Sequence, residues 1–178
     1  METRLLPLAV AGVTALTALL LGQHPVQAQS EAPTKLVGVI NDYVEGGGGN
    51  WHVNGEWSAH VKGDGGTADF LASLTMVRSD LWVVLTLTDP TNPALRQPHT
   101  HHVSLVDGSV TAIANGWRIS GAPSITSNGV AAFSGSTIAV DLIGGDAVAP
   151  ANVQLTFNGA ATGHFGTQPL DGVVIHGR

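Results

Sequence analysis

The stretch QPHTHHVSLVDG, Gln97 to Gly108, sets His99, His101 and His102 directly ahead of an alternating, strand-like run. On an extended strand, residues two apart share a face, so His99 and His101 project side by side with their Cα atoms about 7 Å apart. From that spacing two neutral imidazoles converge on one ion, and zinc, copper and iron all accept imidazole nitrogen. Continuing the parity along the strand reaches Val103 and Leu105, which are apolar, whereas Thr100, His102, Ser104 and Val106 take the opposite face. The pair therefore aims inward near the rim of the core, where it needs hydrogen bonds or a metal, and His102 points to solvent.

A third ligand must come from elsewhere in the chain. His164 in ATGHFGTQP follows one glycine and precedes Phe165 and another, a turn able to carry an imidazole over a barrel mouth, and it is the preferred partner. His176, near the end of the chain, is the second choice. His52 and His60 share parity with Asn54, Glu56 and Ser58 and read as part of a polar outer face. The expected metal set is thus His99, His101 and His164, taking zinc or copper and leaving one coordination position open. Without a metal, the same residues read as a polar cluster in which His99 caps the turn after Pro98 and His101 bonds a backbone carbonyl.

Other chemistry finds less support. The chain has no cysteine, which excludes thiol catalysis, and it has no G-x-S-x-G elbow. The glycine run EGGGGN lacks the lysine and the strand-to-helix setting of a phosphate loop, so no nucleotide cofactor is expected. Of the four glutamates, Glu2 and Glu31 lie in the leader region, leaving Glu45 and Glu56 and no evident carboxylate pair for glycoside chemistry. Trp51 and Trp57 share the apolar parity of their strand, while Trp82 and Trp117 are the better candidates for a surface or a pocket wall. No catalytic signature is complete, so catalytic residues stay unassigned and the sequence names no reaction.

The elements that must position these histidines are short. The first 28 residues combine Arg4, an apolar run from Leu5 to Leu21 and a Val26-Gln27-Ala28 ending, the pattern of a secretory signal peptide cut after Ala28. Residues 29–34 read as a flexible leader, and residues 35–178 as one β domain. Export to a bacterial periplasm or exterior follows, with no stable membrane span after cleavage. The formal net charge of −6 and the lack of a basic stripe argue against nucleic acid as a partner. A small-molecule ligand or substrate is the partner class expected, and oligomeric state is left open.

About 150 residues then remain, one domain's worth, and none of them sustains a helical period for long. Alternation places strands near Lys35–Val44, Trp51–Lys62, Thr67–Val77, Leu81–Thr88, His99–Val106, Ser109–Ala114, Trp117–Gly121, Val130–Phe133, Thr137–Ile143, Val153–Asn158 and Gly172–His176. So many strands joined by glycine-, asparagine- and proline-rich turns predict an all-β fold, an antiparallel barrel or a two-sheet sandwich. Two further functional classes stay open beside the metal site. One is a non-catalytic exported module for a small apolar ligand or glycan; the other is a structural envelope protein.

Overall fold

The computed structural model describes residues 35–46, 48–63, 65–79, 97–145 and 149–177. The expected signal peptide, the leader, the strand at Leu81–Thr88 and Trp82 lie outside the described residues. Among the described residues there are ten strands: β1 (Lys35–Gly46), β2 (Gly49–Val61), β3 (Thr67–Arg78), β4 (His99–Ile113), β5 (Gly116–Gly121), β6 (Ser124–Ser127), β7 (Val130–Ala132), β8 (Thr137–Ile143), β9 (Asn152–Asn158) and β10 (Leu170–Gly177). Between β9 and β10 the chain makes a 3-10 turn (Gly159–Ala161) and a one-turn helix, α1 (Thr162–Phe165).

The strands run antiparallel in the order β3-β2-β1-β10-β9-β8-β5-β4, and β4 pairs back onto β3. Eight strands thereby close into a barrel, which decides between the two architectures the alternation allowed. Closure satisfies both backbone edges of every barrel strand, an arrangement that a sandwich reaches only by covering its edges. The short β6–β7 hairpin lies outside this circuit and pairs with the first half of β4.

Period-two burial fills the interior. In β3, Ala68, Phe70, Ala72, Leu74 and Met76 are all buried; in β9, Val153, Leu155 and Phe157 are; and β2 contributes Trp51, Val53, Trp57, Ala59 and Val61. Trp51 and Trp57 thus take the core positions their parity assigns. Trp117 is half-buried and packs against the core instead of standing free on the surface.

Two local features depart from the sequence expectation. The strands expected at His99–Val106 and Ser109–Ala114 are one fifteen-residue strand, β4. The Asp107-Gly108 pair that reads as a turn is instead a bulge: Asp107 adopts φ 55° and the β3–β4 register shifts between Ala68 and Phe70. The Asp107 N–H donates to Asp69 Oδ1 at 3.0 Å, and Lys62 bridges both carboxylates, so the local polar chemistry is spent on bending a strand. At this bend β4 exchanges one neighbour for another, from β6 to β5. β6 itself is absent from the sequence expectation, because four residues containing two serines and a threonine carry too little alternation to read.

Candidate metal centre

His99 and His101 are the first and third residues of β4, opposite Met76 and Leu74 of β3. The β pleat turns His101 fully inward and leaves His102 exposed. Each inward ring is held by a backbone carbonyl. His99 Nδ1–H donates to Gln97 O at 2.9 Å, in a turn where Gln97 takes φ 49°, and His101 Nδ1–H donates to Thr126 O of β6 at 3.1 Å. A carbonyl only accepts, so both Nδ1 atoms carry their protons and both Nε2 atoms present lone pairs.

His164 arrives on α1, whose place is fixed from three sides. Buried Ser136 accepts the Ala161 N–H on Oγ at 2.9 Å, and Thr162 Oγ1 donates to Phe157 O at 3.2 Å. Gly166, at φ 85°, ends the turn with its N–H on Thr162 O. From the third side, the end of β1 lies against the backbone of His164 itself. A Cβ on Gly46 would stand 2.3 Å from His164 O, so only glycine permits this approach. Trp51 secures it by donating its Nε1–H to Gly46 O at 2.8 Å.

The outcome is a convergence of three nitrogens. His164 Nε2 lies 3.1 Å from His99 Nε2 and 3.0 Å from His101 Nε2, and the three candidate ligand atoms all fall within 4.8 Å of one another. Three imidazoles around a tetrahedral zinc, each about 2.0–2.1 Å from the ion, hold their nitrogens about 3.3 Å apart. The three residues therefore lie close enough to hold a metal ion. Both inner-ring protons also point at carbonyls, the second layer of bonding that orients histidine ligands in metal sites.

Aromatic rings wall the cluster. Trp51 meets His99 edge-on at 4.9 Å, Phe165 meets His101 edge-on at 4.9 Å and stacks on Phe157 at 4.0 Å, and Phe133 lies 5.1 Å from His164. Of these, the strand alternation assigns Trp51 to the core alone. Phe165 was signalled by its place beside His164. Phe133 was expected to continue a strand, but it leaves β7 at φ 53°, which no alternation pattern reveals.

The remaining expected residues sit elsewhere. His176 is exposed on β10 beside Val37, toward the far end of β1 from Gly46. His52 hydrogen-bonds Asn41 Oδ1 at 2.6 Å and stacks under Tyr43 on the outer wall, and His60 is exposed. Glu56 also faces outward, between Val39 and Ser73 of its neighbours.

Burial pushes the His101 imidazole down to about 4, reinforced by the neighbouring charges that His164 and His99 would carry, and the Thr126 carbonyl opposes this only in part. His164 is lowered for the same reasons, burial first and His99 second. Since an unfolded histidine titrates near 6.5, the unfolded chain binds more protons than the native one between about pH 6.5 and 4. Native stability of the metal-free protein is therefore complete above pH 6.5 and drains away as pH falls toward 4, by on the order of 2 kcal/mol from His101. Urea midpoints should be level between pH 7 and 8 and drop by pH 4.5, and His101→Leu should flatten that acid limb. An acid limb of equal depth in this variant refutes the assignment.

Fold and site together define a closed antiparallel β-barrel with a three-histidine cluster set into one end. Comparison of the chain with protein-family models, with curated proteins and with solved structures finds no match in any of the three.

Proposed function

We propose that this protein is an exported bacterial β-barrel that binds one transition metal ion, zinc or copper, through His99, His101 and His164, with the fourth position open to water or a small ligand. One observation carries the reading: His164 Nε2 lies about 3 Å from Nε2 of both His99 and His101, while the Nδ1 protons of those two rings are committed to carbonyls. In the neutral state His164 has a single Nε2–H at most to offer two facing lone pairs, so one pair stays opposed. A divalent ion resolves both contacts at once. Protonation also resolves them, but burial disfavours it for His101 at neutral pH.

An ion held this way supplies Lewis acidity and lowers the pKa of a bound water toward neutrality, which suits attack on a small substrate. The protein's own part is to fix three ligands on a rigid strand and a braced turn, and to surround them with rings that limit access of bulk water. Export rests on the leader sequence, with its apolar run and Val26-Gln27-Ala28 ending.

Metal analysis of protein purified without a histidine tag tests the proposal. Wild type should carry near-stoichiometric zinc or copper, and the double variant His99→Ala/His101→Ala should carry less than a tenth of that. Wild type that stays empty after incubation with either metal and dialysis would overturn it.

A second reading, a module for a small apolar ligand, has its own observation. The outer wall of β1–β4 carries a depression of about 580 Å³, bordered by Val37, Val39, Leu71 and Ile175 around Ser58 and Ser73. It lies on the opposite face of the sheet from His99, His101 and His164, with His102 in its lining, so the two readings call for different ligands.

A further inference from the structure

The outer wall across β1, β10 and β9 carries another depression, of about 410 Å³, and its lining is polar. Asn41, Asn152, Gln154 and Asp171 form it, with Ile143 and Val173 beside them. Strand register explains the grouping: Asp171 pairs with Gln154, Val173 with Asn152, and Ile40 with Gly172, which sets Asn41 next to Asp171. Amides and carboxylates are planar groups that hydrogen-bond through two atoms, a geometry that suits two adjacent hydroxyls.

These side chains are ordered although they stand on a solvated wall. His52 Nε2–H donates to Asn41 Oδ1 at 2.6 Å, Gln154 Nε2 donates to Asp171 Oδ1 at 3.0 Å, and the Asp171 N–H donates to Asp42 Oδ2 at 2.9 Å. Those bonds do not consume the amide hydrogens of Asn41, the carbonyl oxygen of Gln154 or the second oxygen of Asp171. Exposed bonds of this kind return little stability, because water competes for them and side-chain freedom is lost. As a preformed surface they contribute more, since a ligand then meets groups already oriented.

The chain's single tyrosine supplies an apolar platform beside them. Tyr43 lies two residues beyond Asn41 on the same face of β1, about 7 Å along the strand, and is 68 % exposed. Its ring stacks on His52, its partner on β2, with centroids 4.8 Å apart and planes at 26°. That distance matches the spacing of neighbouring strands, so the two rings stand upright side by side, and the far face of the phenol turns away from β2 toward the β10 side. A pyranose needs both parts: its C–H face packs on an aromatic ring while its hydroxyls meet planar polar groups. The Asp171 carboxylate in the lining and the net charge of −6 disfavour an acidic polymer.

We infer that this wall binds a neutral, gluco-configured oligosaccharide, with Tyr43 as the stacking platform and Asn41, Gln154 and Asp171 taking the hydroxyls. The gluco configuration follows from the stack, because equatorial hydroxyls leave both ring faces bare. The histidine cluster lies inside the barrel, so this site is independent of the metal reading.

Isothermal titration of the full-length protein with cellohexaose and with chitohexaose is the test. At least one should bind saturably, and hexagalacturonate should not. Tyr43→Ala should weaken that binding about ten-fold, the worth of one stacked ring, and Tyr43→Phe should keep it. Asp171→Ala should also weaken it, with a melting temperature like that of wild type. Saturation-transfer spectra of the wild-type protein, which need no variant, should show the strongest transfer at the C–H protons of one sugar face. Absence of binding by both neutral sugars, or tighter binding of hexagalacturonate, overturns the inference. Wild-type affinity in both Tyr43→Ala and Asp171→Ala removes the sugar from this wall, and even transfer over all sugar protons overturns the stack.

Discussion

Zinc supplied at about a thousand times its dissociation constant should raise the unfolding free energy of the wild-type protein by about 4 kcal/mol. For a domain of this size that is roughly a 10 °C gain in melting temperature. The gain arises because the folded barrel presents three nitrogens already gathered, whereas the unfolded chain presents them scattered over 65 positions between His99 and His164. His101→Ala should lose nearly all of it. This residue is the fully buried member of the set, its ring is locked by Thr126 O, and its Nε2 sits 3.0 Å from that of His164. Without it two half-buried imidazoles remain, which bind zinc far more weakly. His102→Ala is the matched control: one residue further along, on the outer face, it should keep the full response. Differential scanning fluorimetry with and without zinc reads all three proteins. An equal shift in His101→Ala and wild type would place the ion elsewhere and remove the cluster from consideration.

Phe70→Ala should cost about 3–5 kcal/mol of stability, at the upper end of what truncating one core ring does. Phe70 is completely buried and stacks against Trp57 with centroids 6.2 Å apart. Its strand neighbours on the inner face, Ala68 and Ala72, are small, and so is Ala59 directly opposite on β2. None of them has a side chain long enough to move into the vacated volume, so the cavity persists. Leu105, opposite Phe70 on β4, sits at the strand pair that closes the barrel, which makes this ring part of the seam as well as of the core. Urea unfolding followed by tryptophan fluorescence should show a lower midpoint with an unchanged slope. A loss below about 1 kcal/mol would mean that the interior is packed differently.

These two variants probe parts of the molecule that were legible to different degrees. The inner face of β3 could be written down from alternation, because the side-chain period of a strand is two and burial on one face forces apolar residues into that period. The same reasoning separated His99 and His101 from His102. It also placed Thr137–Ile143, whose bounds agree with β8, and gave Trp51 and Trp57 to the interior. His164 was singled out by its glycine neighbours, and it reaches the pair.

Alternation is a local signal, however, and carries no information on which strand lies beside which. Closure through β3–β4 depends on hydrogen bonds between residues about thirty positions apart, such as Leu74 with His101. The continuity of β4 through Asp107 depends on the Asp69 carboxylate and Lys62, which arrive from other strands and turn an apparent loop into a bend. The ligand geometry depends on Thr126 O, Gly46 and Ser136, three groups with no sequence link to any histidine. The sequence by itself determined the strands, their inward faces and the three histidines with the chemistry to bind a metal. Only the tertiary structure decided that the sheet closes, that α1 lies against β1, and that His164 Nε2 faces the Nε2 atoms of His99 and His101, because those outcomes are set by backbone contacts between distant segments.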